Sequence, residues 1–202
     1  MNTPLHIRTA TVADAEKLLA VYAPYVLHTA NTFEYDVPSL QAFEEKVGKI
    51  TTQYPWLLCE CNGEILGYAY GSMHRERTAY QWCAESTVYL AEKHHRKGIA
   101  RVLYAALFDM MKLQGYYSIY ASILSTNTAS VAFHRAVGFE DIGMFKNIGY
   151  KLGEWHSNIW MQYFLQAHKP EPHTPTPAPE LRDTNAFRQI LVVANERVNV
   201  VI

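Results

Sequence analysis

A strand-like segment, Ser86-Thr87-Val88-Tyr89-Leu90, runs into a basic turn, Lys93-His94-His95-Arg96-Lys97-Gly98, and then into an apolar stretch of helical period beginning at Ile99. A glycine-containing turn that opens a helix leaves several backbone N–H groups free at the positive end of the helix dipole. Such an arrangement suits a phosphate. The turn lacks the lysine-serine/threonine ending of a P-loop and does not read G-x-G-x-x-G, which sets aside ATP and dinucleotides as natural ligands. With a net charge of −1 the chain does not read as a general nucleic-acid binder. The cluster of Lys93, Arg96, Lys97 and Arg101 therefore suits a small anionic ligand.

The same alternation of strand and helix fills residues 5–166. Leu5 to Thr9 reads as a strand, and Thr11 with Asp14 resembles a capping box for a helix through Leu18 and Tyr22 that Pro24 should end or kink. Ser39 opens a second helix carrying Phe43, Val47 and Ile50. Trp56–Cys61 and Glu64–Ser72 form a hairpin across Asn62-Gly63. A long strand is predicted over Ala79–Leu90, followed by a helix burying Ile99, Val102, Leu103, Ala106, Leu107 and Met110 that Gly115 stops. Tyr117–Leu124 is a strand and Thr128–Val137 a helix ending at Gly138. Strands over Phe139–Asn147 and Ser157–Leu165 close the sheet. Helices between strands imply an α/β domain with helices on both faces.

From Gln166 onward the composition changes. His168–Pro179 holds five prolines among polar residues, which reads as an extended linker. The Val/Ile-rich Phe187–Ile202 reads as one or two short strands. Residues 1–166 are thus expected to be the working domain and 167–202 a linker and tail whose loss leaves activity largely intact, unless the tail packs as edge strands. The three cysteines are read as reduced core residues, and the histidines show no metal-ligand spacing. No window is apolar enough for a signal or membrane span, so the expectation is a cytoplasmic protein.

Several stretches, in order, resemble one known group. Ala79-Tyr80-Gln81-Trp82, Glu85-Ser86-Thr87-Val88-Tyr89, His95-Arg96-Lys97-Gly98-Ile99-Ala100, Asn127-x-x-Ser130-x-x-x-His134-x-x-x-Gly138-Phe139 and Gly149-Tyr150-Lys151-x-Gly153-x-Trp155-His156 are similar to the phosphinothricin and methionine sulfoximine (sulfone) N-acetyltransferases of the GNAT superfamily. The resemblance spans about residues 5–166. It implies an α+β fold, with a mixed, mostly antiparallel sheet splayed to admit acetyl-CoA, and acetyl transfer to a small-molecule amine. It also implies a homodimer, with no metal, nucleic acid or membrane partner.

Carried over residue by residue, the resemblance places the CoA pyrophosphate on His95, Arg96, Lys97, Gly98, Ile99 and Ala100. His95 stands where Gln or Arg is usual, and Ala100 where Gly is common. Thr87, Val88 and Tyr89 would pair through their backbone with the pantetheine amides, as an added strand. Asn127 and Ser130 would contact the cofactor's amide region, and the Val88 N–H would supply an oxyanion donor.

Glu85 shares a strand face with Thr87 and Tyr89. It is either an ordinary ion-pair partner or, as the resemblance implies, the base that removes the amine proton. His134 lies seven residues after Asn127, on the same helix face, and is an acid, a second base or a core histidine. Phe33, Arg75, Arg77, Tyr80, Glu85 and Thr87 match acceptor-site positions. An arginine fork there would take a carboxylate or phosphinate, with one of Arg75 and Arg77 a solvated loop charge. Trp155 and His156 fit core packing or a dimer contact. Acetylation of a protein or peptide amine, or a non-catalytic acyl-CoA sensor, are the competing functions.

Overall fold

The local signals for helices and turns are realised where backbone geometry alone decides them. The computed structural model describes residues 4–200. Its elements are β1 (His6–Thr9), α1 (Ala15–His28), α2 (Leu40–Thr51), β2 (Trp56–Cys61), β3 (Glu64–Met73), β4 (Cys83–Leu90), α3 (Ile99–Gln114), β5 (Ser118–Leu124), α4 (Thr128–Val137), β6 (Glu140–Lys151), β7 (Glu154–Phe164), α5 (Ala178–Leu181) and α6 (Asn185–Val198). Asn62 and Gly63 both take positive φ, as the tight β2–β3 turn requires. Ser39 accepts the Ala42 N–H at 3.2 Å to cap α2. Gly115 and Gly138 sit in the left-handed region just past α3 and α4.

The strands form one sheet in the order β1-β2-β3-β4-β5-β7-β6. Every neighbouring pair is antiparallel except β4–β5. Parallel pairing there covers only Cys83–Glu85 against Ser118–Tyr120. Beyond Glu85 and Tyr120 the two strands part, while β4 stays paired to β3 and β5 to β7. The sheet is therefore open at its middle. One face carries α1 and α2 on a core of Leu18, Tyr22, Phe43, Val47, Trp56 and Tyr68. The other carries α3, α4 and α6 on Leu103, Leu107, Met110, Val131, Ile119 and Phe187.

Several elements depart from the sequence expectation. Pro24 does not end α1, which continues to His28. Burial of Val26, and capture of two late carbonyls (Tyr25 O by Thr29 Oγ1 and Val26 O by Lys151 Nζ, 2.8 Å each), offset the lost helical bond. The long strand begins at Cys83, not Ala79, because Thr78–Tyr80 closes a 3₁₀ turn. The last two strands run further toward each other than predicted, meeting at a turn where Leu152 and Gly153 take positive φ.

Among the described residues the tail forms no strand. Phe187, Ala194 and Val198 recur at a helical period and are buried against α3 and β1, so 185–198 is the helix α6. Burial of that stripe overrides the β preference of Val192 and Val193. The expected strand's last two residues, 201 and 202, lie outside the described residues. Asn195 and Asn199, one turn apart, lay their amides on the outer edge of β1. Ile7 N and O meet Asn195 at 2.7 and 2.9 Å, and Leu5 N and O meet Asn199 at 2.8 and 2.9 Å. These side chains satisfy the groups that a further strand would pair.

Candidate active site

The gap between β4 and β5 is a cavity of about 470 Å³. Ser86–Leu90 form one wall and Ala121–Leu124 the other, and the start of α3 and the inner face of α4 complete it. Of the residues expected to hold the cofactor, Thr87, Val88, Tyr89, His95, Arg96, Ala100, Asn127 and Ser130 line the cavity. Lys97 is exposed outside it, and Ile99 is a fully buried core residue that can offer only its backbone. Arg96 and Gly98 both have positive φ, 61° and 76°. These two left-handed residues curl the turn that leads into α3, whose first N–H groups have no partner within the helix. Lys93 is drawn away from the turn by Glu64, at 2.5 Å. His95 Nε2 lies 3.1 Å from the Leu90 carbonyl, which also accepts the Tyr25 hydroxyl at 2.5 Å.

Asn127 spends its side-chain carbonyl capping α4 through Ser130 N (3.1 Å) and donates to Asn31 Oδ1 at 3.0 Å. That cap explains the residue type at position 127. His134 is buried on α4. A carbonyl can only accept, so the 2.8 Å contact between Nδ1 and Ser130 O places the ring hydrogen on Nδ1. Nε2 is then an acceptor, and Tyr104 Oη, 3.1 Å away, donates to it. Ser86 Oγ in turn approaches Tyr104 Oη at 3.4 Å. Burial lowers the His134 pKa below its usual value and raises that of Tyr104, so both groups are neutral near pH 7.

Glu85 is the last β4 residue paired to β5. Tyr89, on its strand face, packs against Tyr22 and Tyr25 of α1, whereas Ser86 reaches Tyr104 of α3. Glu85 and His134 therefore approach the opening from opposite faces of the sheet. Glu85 does not line the main cavity; it stands at its mouth, its side chain 31% exposed. Its Oε1 lies 3.0 Å from Nδ1 of His74, whose ring stacks on Tyr120 and meets Tyr80 edge-on. Arg75 covers the Tyr80 ring at 5.3 Å. Glu85, His74, Tyr80 and Arg75 are thus contiguous, whereas Arg77 is exposed at the start of the 3₁₀ turn. Phe33 lies against Gly149 and His156 of the outer hairpin. Lys151, 2% exposed, ties its loop down through Val26 O and Thr32 O at 2.8 Å each.

Sequence reasoning missed Tyr104, His74, Tyr120, Asn31 and Tyr25. Tyr104 lies on the apolar stripe of α3 and could have been placed by helical period. Tyr120 follows from the register opposite Glu85, which the sequence does not reveal. Among the described residues no group of three His, Cys, Asp or Glu side chains could hold a metal ion, and no helix is long and apolar enough to cross a membrane.

A family model described as an acetyltransferase (GNAT) domain matches residues 7–160. The chain is 34% identical to phosphinothricin N-acetyltransferase of Streptomyces viridochromogenes, over 85% of this chain and 94% of that protein. It is 32% identical to the L-methionine sulfoximine/L-methionine sulfone acetyltransferase of Salmonella typhimurium, over 80% and 95%. Among solved structures it superposes, with a TM-score of 0.79 and 30% identity, on a GNAT superfamily phosphinothricin acetyltransferase from Sinorhizobium meliloti in complex with acetyl-CoA. That match covers 86% of this chain and 98% of the other.

Proposed function

Because this chain belongs to the GNAT acetyltransferase family, we propose that it transfers the acetyl group of acetyl-CoA to the amino group of a small amino-acid-like substrate of the phosphinothricin or methionine sulfoximine/sulfone kind. The observation that carries the reading is the parting of β4 and β5 at Glu85, which opens a cavity ending at a curled, basic helix start. Acetyl-CoA supplies the thioester. The N–H groups around Arg96, Gly98 and Ala100 would hold its diphosphate, and the free edge of Thr87–Tyr89 its pantetheine amides.

Glu85 at the mouth takes the proton of the incoming ammonium. As the N–C bond forms the C–S bond breaks, and the thiolate takes a proton from water. One ammonium and one thioester thus give one amide, one thiol and one proton. His134, neutral and with Nε2 as acceptor, serves as second base from the opposite face through the Tyr104 hydroxyl. Arg75, lying over the Tyr80 ring that His74 meets edge-on, is the cation assigned to a carboxylate or phosphinate of the acceptor.

The assembly is read as a homodimer. The outermost hairpin, β6–β7, exposes Ile142, Met144, Phe145, Ile148, Leu152 and Trp155. A cytoplasmic location fits Cys59 and Cys83, which stand as free thiols.

The test is Glu85→Gln assayed by thiol release with phosphinothricin, methionine sulfoximine and methionine sulfone as acceptors. Turnover should fall about 10²-fold with acetyl-CoA affinity unchanged. Near-normal turnover at neutral pH would remove Glu85 from the mechanism. Failure of all three acceptors with the unaltered protein would overturn the substrate class.

A further inference from the structure

The carboxylate at the mouth of the cavity is not left to solvent. His74, directly after β3, directs Nδ1 at Glu85 Oε1 over 3.0 Å. An ionised carboxylate only accepts, so Nδ1–H is the donor. The His74 side chain is 11% exposed. Its ring lies flat on Tyr120, with centroids 4.4 Å apart and planes 15° apart, and Trp160 meets it edge-on at 5.8 Å. Tyr120 is the cross-strand partner of Glu85, in the last pair before the sheet opens. The ring that holds the carboxylate is thus itself seated on the residue beside that carboxylate, across the line where the strands part.

We propose that His74 is a positioning residue for Glu85. Its Nδ1–H occupies Oε1 and turns Oε2 toward the acceptor amine. The inference rests on the reading of Glu85 as the base. A glutamate has three rotatable bonds, and at the rim of an opening few neighbours restrain them. A displacement of the base by about 1 Å costs on the order of 10²-fold in rate. One fixed hydrogen bond from a ring that cannot swing removes most of that freedom. His74 touches the base rather than the reacting atoms, so its loss should appear in kcat and not in the binding of acetyl-CoA.

The experiment compares His74→Phe, which keeps a flat ring for Tyr120 but has no donor, with His74→Asn, whose amide returns a donor near the Nδ1 position. His74→Gln places its donor one bond too far and serves as a second loss variant should the Phe side chain prevent folding, as judged by near-UV circular dichroism. Each is made with Glu85 present and with Glu85→Gln, and kcat and both KM values are measured. We expect kcat to fall about 10-fold in the Phe and Gln variants and to recover most of that in Asn. In the Glu85→Gln background no further change should follow.

Unaltered kcat in His74→Phe overturns the proposal. So does an equal loss in both backgrounds, which would make His74 act independently of Glu85, or an Asn variant as slow as Phe, which would show that a returned donor does not restore the rate. If Glu85→Gln alone keeps full turnover, the base assignment fails and the proposal falls with it. A slow Glu85→Gln beside a normal His74→Phe refutes the positioning role only.

Discussion

Ending the chain after Gln166 should unfold or aggregate the protein, although every residue assigned to chemistry lies before that point. The deletion removes α6, whose Phe187 is 1% exposed and Val198 0%. Fully burying side chains of this size stabilises by about 1.5–3 kcal/mol each, as an upper estimate. Four hydrogen bonds between the Asn195 and Asn199 amides and the backbone of Leu5 and Ile7 go with it, each worth about 1 kcal/mol net. The total, roughly 7–10 kcal/mol, rivals the ~5–15 kcal/mol by which a whole domain is stable. The loss also uncovers the backbone of β1 as an open sheet edge, a template for pairing with another chain.

Sedimentation velocity, a thermal melt and acetyl transfer on the truncated chain would read all three consequences. The double substitution Asn195→Ala with Asn199→Ala isolates the edge effect, since the apolar stripe stays buried. It should lower the unfolding free energy by about 2–4 kcal/mol and promote concentration-dependent association. A truncated chain with the full-length melting temperature, sedimentation and activity would refute the reasoning and make α6 a dispensable cover.

Three further outcomes are expected. Gly98→Asp sets a negative charge, and a side chain at a φ of 76°, where the diphosphate would sit; acetyl-CoA affinity by calorimetric titration should fall by about 10²-fold or more, and unchanged affinity would move the phosphates elsewhere. In Gly149→Ala the new Cβ would meet Phe33 ring carbons at 2.6 and 2.7 Å; this overpacking should cost about 1–3 kcal/mol and raise the acceptor's KM while sparing that of acetyl-CoA, and an unmoved acceptor KM would separate Phe33 from the acceptor site. Burial lowers the His134 pKa in the folded chain, so the unfolded chain takes up its proton first. That stability is full above about pH 6.5 and drains as pH falls through the lower folded value. Urea midpoints measured between about pH 5 and 7.5 should slope less in His134→Phe, and equal slopes would contradict a buried neutral ring.

What was legible in the chain is what neighbours along it decide. The Asn62-Gly63 turn, the Ser39 cap, the stops at Gly115 and Gly138 and the apolar stripe of α3 all rest on interactions within about four residues, and all appear where expected. The basic turn at 93–98 was readable for the same reason, since Gly98 and the helix start follow one another directly. The motif order made the family plain. Local rules failed where burial outweighed propensity, at Pro24 and in α6, because a core formed by distant strands selects the backbone there. Helical spacing of Phe187, Ala194 and Val198 was present in the tail, but the β-branched residues between them spoke louder.

The site itself was decided only by the tertiary structure. Glu85 and His134 were both named from sequence, yet only the sheet places them on opposite faces of one opening. The tautomer of His134 depends on Ser130 O and on Tyr104, thirty positions away. His74 finds Glu85 because β3 and β4 pair antiparallel and Tyr120 offers a flat seat. Asn195 caps Ile7 across 188 positions of chain. Sequence determines which residue types are available and the turns that join them. Which distant side chains meet is set by strand register and by the faces on which helices dock, both fixed by burying the whole apolar surface at once and not by any local stretch.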